Sequence, residues 1–203
     1  MLKKELKQFR EFRKTFKFNE IKTTEKNGAH FFGAEMVQTK DGELISSGKG
    51  FINVGYKAKG LSRTLSNLYP YEFRFKGKNC ASIEAVFQGI KFPNKKEQNL
   101  ILKMSGMDCY YSKFNSDYDW RETGIVFWQG KPIDRHSKEY ADFVDELYIS
   151  AIQNPLYRKA ILNTGDLYII HSLGNENAKD TVLSKREYET MLNSLKAFLQ
   201  SKK

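Results

Sequence analysis

The amino-acid sequence predicts an α+β fold that is mainly helical, with a small β component and an N-terminal extension of one helix and a hairpin. Apolar residues recur at helical spacing in several long segments. An Asp41–Gly42 pair between two apolar segments is typical of a tight hairpin turn, because both residues readily adopt positive φ. Hydrophobic residues make up 40% of the chain, so we expect a folded core rather than a disordered chain.

The first predicted element is a basic amphipathic helix over residues 2–17. Its apolar residues share one face and are Leu2, Leu6, Phe9, Phe12 and Phe16. We expect this face to pack on the rest of the protein, since such a stripe most often belongs to a core. A role of the helix at a membrane surface or on nucleic acid is the alternative.

Short strands and a domain boundary are predicted next. The segments HFFGAEMVQT and LISSG, on either side of KDGE, predict the hairpin, and GFINVGYKA predicts a third short strand. GLSRTLSN has the composition of a loop. We therefore place a boundary near residue 60, between a basic extension over residues 1–60 and a domain over residues 61–203.

The C-terminal third predicts three helices and a strand. One helix begins at Lys138 and keeps one apolar face until Pro155, which can open the next helix over LYRKAIL. LYII predicts a short buried strand. Ser184 and Glu187 have the spacing of a capping box for a terminal helix.

Charge and composition exclude several classes of protein. The chain has 203 residues, with 34 Lys or Arg against 24 Asp or Glu, hence a net charge of +10. A basic surface favours encounter with nucleic acids, with general solubility as the alternative. No segment resembles a membrane span or a signal sequence, so we expect a soluble, cytoplasmic protein with no membrane partner. The two cysteines, Cys80 and Cys109, fit no metal-binding spacing, so we expect no metal site.

One predicted helix carries a polar stripe. ASIEAVFQGIKF predicts a helix that begins after Ser82 and ends at Pro93, and residues 95–105 predict another. Three polar side chains fall at i, i+4 and i+7 of the first helix: Glu84, Gln88 and Lys91. A solvated face with weak side-chain pairing explains such a stripe. In a cleft, the glutamate can instead act as acid or base, and the lysine as a nucleophilic amine or a phosphate clamp.

A second cluster lies in WRETGIVFWQGKPIDRHSKEY. Its conspicuous side chains are Trp120, Trp128, Asp134, Arg135, His136 and Tyr140. Indole faces can stack on a base, and arginine can bind phosphate through two hydrogen bonds. Tryptophans also fill cores, and neighbouring Asp and Arg are common on surfaces, so spacing alone leaves both interpretations open.

Several ordered motifs resemble one family. LSNLYPYEFRFKGKNCASIEAVFQGIKF resembles the opening signature of the NADAR (YbiA-like) family, which has a SNFYP-type segment, a short hairpin and then S-x-E-x-x-[FY]-Q-x-x-K. WQGKPIDRHSKEY, AIQNPLYRKAILNTGD, IIHSLG and TVLSKREY are similar to the later blocks of a divergent branch. The resemblance covers about residues 61–198 and implies a YbiA-like domain, with residues 1–60 outside it.

The resemblance implies a hydrolase of N-glycosyl bonds to ribose, without a cofactor. The implied reaction releases ADP-ribose from a guanine base in nucleic acid, in functional pairing with a DNA ADP-ribosyltransferase toxin. Matching positions make Glu84 and Lys91 the catalytic residues. The substrate-binding residues are then Asn67, Tyr69, Gln88, Trp128, Arg135, His136, Asp166 and His171.

The implied mechanism has Glu84 moving protons between the ribose and the leaving nitrogen, while Lys91 forms an imine at the opened C1. Direct attack by water, with Lys91 only positioning phosphate, is the alternative. A small-molecule N-glycosidase acting on riboflavin-pathway or NAD-derived nucleotides is the rival enzyme. A non-catalytic module that binds ADP-ribose or nucleic acid is the rival from another class.

The sequence departs from the family near its C-terminus. HSLGNENAKDTVLSKREY replaces the WGxG ending. The acidic residue of the family is either Asp180 or lost at Asn177. We expect this end to recognise the leaving base, so the departure bears on the identity of the substrate.

Overall fold

A computed structural model of the chain describes residues 2–17, 23–26, 29–32, 36–38, 44–46, 50–112 and 118–202. The fold is α+β and mainly helical, with small sheets, as the sequence predicts. Within the described ranges, every helix is too short or too polar to cross a lipid bilayer.

The elements follow one another in chain order. The helices are α1 (Leu2–Thr15), α2 (Gly60–Thr64), α3 (Ile83–Gly89), α4 (Lys95–Ile101), α5 (Gly106–Tyr111), α6 (Trp120–Thr123), α7 (Lys138–Ala151), α8 (Pro155–Asn163) and α9 (Lys185–Gln200). The strands are β1 (Thr23–Lys26), β2 (Ala29–Phe32), β3 (Met36–Gln38), β4 (Leu44–Ser46), β5 (Phe51–Asn53), β6 (Phe73–Phe75), β7 (Lys78–Cys80), β8 (Ile125–Trp128), β9 (Lys131–Asp134) and β10 (Tyr168–Ile170).

The chain divides into two compact units. The first unit consists of Met1–Gln8, Asn67–Arg158 and Ala178–Val182. The second unit consists of Phe9–Ser66, Lys159–Asn177 and Leu183–Lys203.

Helix α3 lies at the centre of the first unit and packs against α4, α5 and α7. Part of this core is a buried cluster of Ala85, Phe92, Ile101 and Cys109. Its apolar side chains hold α3, the segment that follows it and the next two helices together, so the positions of polar groups on α3 are set by packing.

Two tight hairpins complete the first unit. In β6–β7 the turn residues Lys76 and Gly77 have φ of 45° and 81°, and in β8–β9 Gln129 and Gly130 have φ of 50° and 77°. Positive φ at both turn residues matches the right-handed twist of the strands. The first hairpin is the one that the family resemblance implies. The second was not predicted, because glutamine is not a typical residue at the first turn position.

The second unit contains two separate sheets. Strands β1 to β4 form an antiparallel sheet in chain order, while β5 pairs in parallel with β10. Asn193 of α9 is hydrogen-bonded to β10. Its side chain accepts from the backbone N–H of Ile169 and donates to the carbonyl of Ile169. The rings of Phe9 and Phe198 pack 5.2 Å apart, which confirms that the apolar face of α1 belongs to a core.

Most predicted elements are confirmed, with differences in the first sheet, in the predicted loop and at the end of α3. The segment HFFGAEMVQT, predicted as one strand, contains β2 and β3, which pair with each other. The β3–β4 pairing confirms the hairpin, although its Asp41–Gly42 turn lies outside the described residues. Residues 60–64 of the predicted loop form helix α2, which begins without a side-chain cap and therefore without a sequence signal. Helix α3 ends at Gly89 rather than running to Pro93, so Lys91 lies beyond the helix. The proposed boundary near residue 60 stays a prediction.

Candidate active site

The first turn of α3 is fixed by two hydrogen bonds. The hydroxyl of Ser82 accepts from the backbone N–H of Ala85 at 3.0 Å, as the predicted N-cap requires. The carbonyl of Asn67 accepts from the backbone N–H of Glu84 at 3.0 Å. These bonds satisfy N–H groups that have no partner within the helix. They also place the first turn of α3 beside Asn67.

Glu84, Gln88 and Lys91 form one hydrogen-bonded chain. Lys91 Nζ donates to Gln88 Oε1 at 2.8 Å, and Gln88 Nε2 donates to Glu84 Oε1 at 2.6 Å. The Gln88 oxygen therefore faces Lys91, and the Gln88 amide nitrogen faces Glu84. Glu84 Oε1 is then an acceptor, and Oε2 is the oxygen that can carry a proton. The three side chains meet even though Lys91 lies outside the helix.

Burial pushes both ionisable members of this chain toward their neutral forms. It raises the pKa of Glu84, against the smaller lowering effects of the Gln88 hydrogen bond and the Lys91 charge. It lowers the pKa of Lys91, with Glu84 opposing this shift and the charge of Arg121 adding to it. Glu84, Gln88 and Lys91 each keep part of their surface exposed. A carboxyl with a raised pKa and an amine with a lowered pKa suit acid–base and amine chemistry.

Gln98 holds the segment that carries Lys91. Its amide donates to the carbonyls of Phe92 and Phe127, at 2.6 and 2.8 Å. Gln98 is fully buried, where unmade hydrogen bonds are costly. The backbone N–H of Phe127 also donates to the carbonyl of Ile90 at 2.7 Å. Strand β8 therefore fixes the residues on both sides of Lys91. Sequence analysis did not single out Gln98, since a glutamine in an amphipathic helix normally faces solvent.

Asn67 presents an oriented amide. Its side-chain oxygen accepts from the hydroxyl of Tyr148 at 2.9 Å, and Tyr148 is fully buried. Asn67 itself is half-buried. With its oxygen occupied, the amide Nδ2 is the group that Asn67 can offer to a ligand. Tyr69, also half-buried, packs its ring 4.7 Å from Tyr71.

Gly106 is a structural residue that sequence analysis missed. A Cβ at this position would lie 2.4 Å from the carbonyl oxygen of Leu68. Helix α5 therefore begins against the backbone that links Asn67 to Tyr69. No local pattern signals this role, because the close approach joins segments far apart in the sequence.

Arg121, whose charge adds to the lowering of the Lys91 pKa, was also not singled out by sequence analysis. Its side chain is exposed, and its guanidinium carbon lies 5.1 Å from the centre of the Trp120 ring. Trp120 is buried and anchors α6. The aromatic contact occupies one face of the guanidinium and leaves its edge N–H groups available.

A comparison with family models decides the family. The model described as "Bacteriophage protein GP30.3" matches residues 59–197, which include every residue of the site described above. The chain belongs to the bacteriophage GP30.3 family.

A comparison with solved structures supports the YbiA-like fold of this GP30.3 family member. The NMR structure of E. coli YbiA is similar with a TM-score of 0.51 and 16% identity, over 81% of this chain and 92% of YbiA. At this identity the likeness concerns the fold alone. Comparison with curated proteins gives no match. Membership of NADAR itself stays a proposal, since the matching model is that of GP30.3.

Trp128 of this GP30.3 family member lies in an aromatic cluster. Its ring is 4.9 Å from that of Phe75 and 5.6 Å from that of Phe143. The side chain remains half-buried. These contacts give Trp128 a packing role and leave part of its surface for a ligand.

Arg135 and His136 have different surroundings. Arg135 is 3% exposed, lies 4.6 Å from the centre of the Tyr140 ring and donates to the carbonyl of Thr181. His136 is exposed, and its backbone N–H donates to Asp134. The roles of both residues in substrate binding stay predictions.

Two predicted binding residues belong to the second unit. The Nδ1 atom of His171 lies 2.9 Å from the carbonyl oxygen of Val54, and the backbone N–H of His171 donates to Glu189. Burial lowers the pKa of His171, with the nearby Lys185 charge acting in the same direction and the Val54 bond opposing it. A carbonyl only accepts, so Nδ1 carries the proton and Nε2 is an acceptor.

Asp166 is exposed in the turn after α8. Its charge opposes the lowering of the Lys196 pKa that burial causes. Asn177 lies in the second unit and Asp180 in the first. In the described part of the chain, no three His, Cys, Asp or Glu side chains come together as metal ligands.

Proposed function

We propose that this GP30.3 family member is a NADAR-type hydrolase that cleaves the N-glycosyl bond between ADP-ribose and a guanine base in nucleic acid. The observation that carries the proposal is the hydrogen-bonded chain of Glu84, Gln88 and Lys91. The YbiA-like fold supports it, because the sequence motifs resemble those of the NADAR (YbiA-like) family.

The reaction needs an acid for the leaving nitrogen. Guanine leaves poorly as an anion, so the departing nitrogen must receive a proton. The raised pKa of Glu84 keeps a proton on its carboxyl closer to neutral pH than an ordinary glutamate does. Because Gln88 occupies Oε1, Oε2 is the atom that delivers this proton.

The reaction also needs a group that takes up the developing charge at C1. Lys91 attacks only as a neutral amine, and burial lowers its pKa toward that form. Gln88 Oε1 accepts one N–H of Lys91 and leaves the nitrogen lone pair free to attack. Gln88 therefore orients both reacting groups without taking part in bond formation.

The proposed steps balance to a hydrolysis. Glu84 gives its proton to the ring oxygen, and the C1–O4 bond breaks. Lys91 Nζ then bonds to C1 and passes one proton to the Glu84 carboxylate. Glu84 delivers this proton to the guanine nitrogen, the bond between C1 and guanine breaks, and C1 is held as a protonated imine. Water adds to the imine carbon and gives a proton to Glu84, the C1–Nζ bond breaks, and ADP-ribose is released with Lys91 restored as an amine and Glu84 as an acid.

The remaining proposed residues bind the substrate. Asn67 donates its oriented amide to a ribose hydroxyl, and the half-buried rings of Tyr69 and Trp128 contact the sugar or base. The other proposed contacts in the first unit are Arg135 and His136, while binding roles for Asp166 and His171 stay predictions from the resemblance. The net charge of +10 supports a polymeric nucleic acid as the carrier of the modified base. An ADP-ribosyltransferase acting on DNA must then supply the substrate.

Comparison of two substrates tests the proposal. We expect release of ADP-ribose from a guanine-ADP-ribosylated DNA oligonucleotide, with kcat/KM falling steeply as salt rises, because phosphate contacts release counterions. An ADP-ribosylated guanosine mononucleotide should be cleaved with little salt dependence. Equal efficiency on both at all salt concentrations would replace the proposal with a small-molecule N-glycosidase. Protection against thermal unfolding by ADP-ribose without any product would replace it with a binding module.

A further inference from the structure

The exposed side of α4 is basic. Lys95, Lys96 and Lys103 are all exposed. At about 100° per residue they share about a third of the helix circumference, whereas Glu97, the only acidic residue of α4, falls outside it. Lys103 lies just after α4, in a turn where its backbone N–H donates to the carbonyl of Leu100 at 3.2 Å.

The β8–β9 turn adds a fourth lysine to this side. The side chain of Lys95 lies against Gly130, where a Cβ would approach Lys95 Cε to 3.0 Å. Lys131 follows Gly130 directly and is exposed. These two lysines, with Lys96 and Lys103, are called the basic face of α4. In the part of the chain that the structure describes, none of the four forms an ion pair with a carboxylate. Grouped cations without a carboxylate partner attract a polyanion.

Two exposed aromatic rings lie on α5, which is bonded to the end of α4. Tyr110 and Tyr111 are 60% and 61% exposed, with ring centres 5.3 Å apart and an angle of 86° between the rings. The thiol of Cys109 donates to the carbonyl of Ile101, the last residue of α4, at 3.5 Å. Exposed tyrosine rings can stack on nucleobases, and bases are free to stack in this way only when the strand is unpaired. Lysines together with such rings therefore favour a single strand over a duplex.

The β8–β9 hairpin connects the basic face to the candidate active site. Lys131 is the cross-strand partner of Trp128, so the two side chains lie on the same side of the hairpin. In the same strand as Trp128, the backbone N–H of Phe127 donates to the carbonyl of Ile90 at 2.7 Å, and Lys91 follows Ile90. A strand bound on the basic face therefore lies beside Trp128, one of the proposed substrate contacts.

We propose that single-stranded nucleic acid binds on the basic face of α4, with its phosphates on the four lysines and its bases on Tyr110 and Tyr111. Lys95 and Lys103 are separated by about 12 Å along the helix axis, which is long enough for several successive phosphates. The inference rests on the proposed function only in taking one nucleotide of this strand to be the ADP-ribosylated guanosine. The substrate is thereby narrowed from nucleic acid in general to single strands.

Helix α1 is the competing basic surface, and it lacks one of the two features. It carries the exposed lysines Lys3, Lys4 and Lys7. Among the described residues, the large hydrophobic side chains that are exposed include none from α1. Helix α1 therefore offers cations without an exposed ring on which a base can stack.

Fluorescence anisotropy on the full chain tests the inference, with a labelled oligothymidine single strand and a duplex of the same length. The triple variant Lys95→Gln, Lys96→Gln, Lys103→Gln should weaken single-strand binding by about tenfold or more. The slope of log affinity against log salt should become shallower by about 2, since each phosphate contact contributes about 0.7. The triple variant Lys3→Gln, Lys4→Gln, Lys7→Gln makes the same charge change on α1 and should alter the affinity by less than about twofold.

The stacking contribution is measured separately. The double variant Tyr110→Ala, Tyr111→Ala should weaken single-strand binding by about tenfold, as expected for lost base stacking. Its salt slope should stay that of the wild type, because stacking releases no counterions. All the changed side chains are exposed, so thermal unfolding of each variant should match that of the wild type.

Three results would overturn the inference. Equal losses in the α4 and α1 triple variants would assign the affinity to net charge. Tighter binding of the duplex than of the single strand, with no effect of the tyrosine changes, would assign the basic face to duplex backbones. The third is no binding of the single strand by the wild type at low salt. Intact ADP-ribosylated DNA after incubation with a protein that binds single strands through α4 would instead contradict the proposed function and leave this inference standing.

Discussion

Lys91 donates a hydrogen bond of 2.8 Å to the side-chain oxygen of Gln88, and through Gln88 it is linked to Glu84. The oxygen of the Gln88 amide accepts from Lys91, and the nitrogen of the same amide donates to Glu84. This arrangement keeps an acid and an amine close without a direct ion pair between them. A direct ion pair would raise the pKa of Lys91 and lower that of Glu84, which is the opposite of what the proposed chemistry needs.

Replacement of Gln88 by glutamate tests this arrangement. Gln88→Glu places a carboxylate beside Lys91, so the pKa of Lys91 should rise and less neutral amine should be present at pH 7. The rate of amine attack rises as Lys91 loses its proton. The pH at which this rate rises should therefore be higher in Gln88→Glu than in wild type. Gln88→Leu removes the hydrogen bonds without adding charge and should show no such alkaline shift. Superimposable pH profiles of Gln88→Glu and wild type, measured in single turnovers, would refute the arrangement.

Borohydride trapping tests the nucleophile. If Lys91 forms an imine at C1, reduction during turnover should attach a group with the mass of ADP-ribose less one oxygen to Lys91. Peptide mass spectrometry locates the adduct. Lys91→Arg keeps a positive charge and should give no adduct. Cleavage by wild-type protein without any adduct would favour direct attack by water, with Lys91 as a phosphate contact.

The protonation of His171 can be observed directly. The carbonyl of Val54 accepts from Nδ1, so nitrogen NMR should show the neutral ring with its proton on Nδ1. Because burial lowers its pKa from 6.5, the ring should be less than half protonated at pH 6.5. The unfolded chain binds this proton more readily, so the contribution of His171 to stability is present above pH 6.5 and is lost as the pH falls below it. Loss of one imidazole signal in His171→Asn identifies the His171 signal among those of the three histidines of the chain. A half-protonated His171 at pH 6.5 would contradict the buried geometry.

Two glycine substitutions separate close packing from helix propensity. Gly106→Ala forces a Cβ against the Leu68 backbone and should destabilise the protein by about 1–3 kcal/mol. In Gly89→Ala the new Cβ meets its nearest atoms at 3.8 Å or more, inside α3. It should leave stability unchanged or raise it by up to about 1 kcal/mol. Urea unfolding measures both, and equal effects of the two changes would show that the approach of Leu68 does not matter.

Long elements with their own caps were predictable from the sequence. The apolar stripe of the last segment and the Ser184–Glu187 capping box correctly predicted α9, and Pro155 correctly predicted the start of α8. These signals are local, since capping groups and helical periodicity lie within one segment. Short elements were not predictable in the same way. Helices of four to six residues such as α5 and α6 depend on the tertiary packing around them.

The candidate site was predictable in part. The spacing of Glu84, Gln88 and Lys91 pointed to a shared stripe, and the structure brings the three side chains together, although Lys91 lies after the helix. The bond between Phe127 and Ile90 could not be seen, because it joins segments far apart in the sequence. The anchoring role of Gln98 was hidden for the same reason.

The most direct test of the account is the release of ADP-ribose from guanine-ADP-ribosylated DNA, followed by mass spectrometry for wild type, Glu84→Gln and Lys91→Ala. Glu97→Gln, a change of an exposed glutamate in α4, is the matched control. The account predicts release by the wild type and the control, and a loss of about 10²–10⁴-fold in Glu84→Gln and Lys91→Ala with their folds intact. Undiminished release by the folded Glu84→Gln and Lys91→Ala variants, or none by wild type, would contradict it.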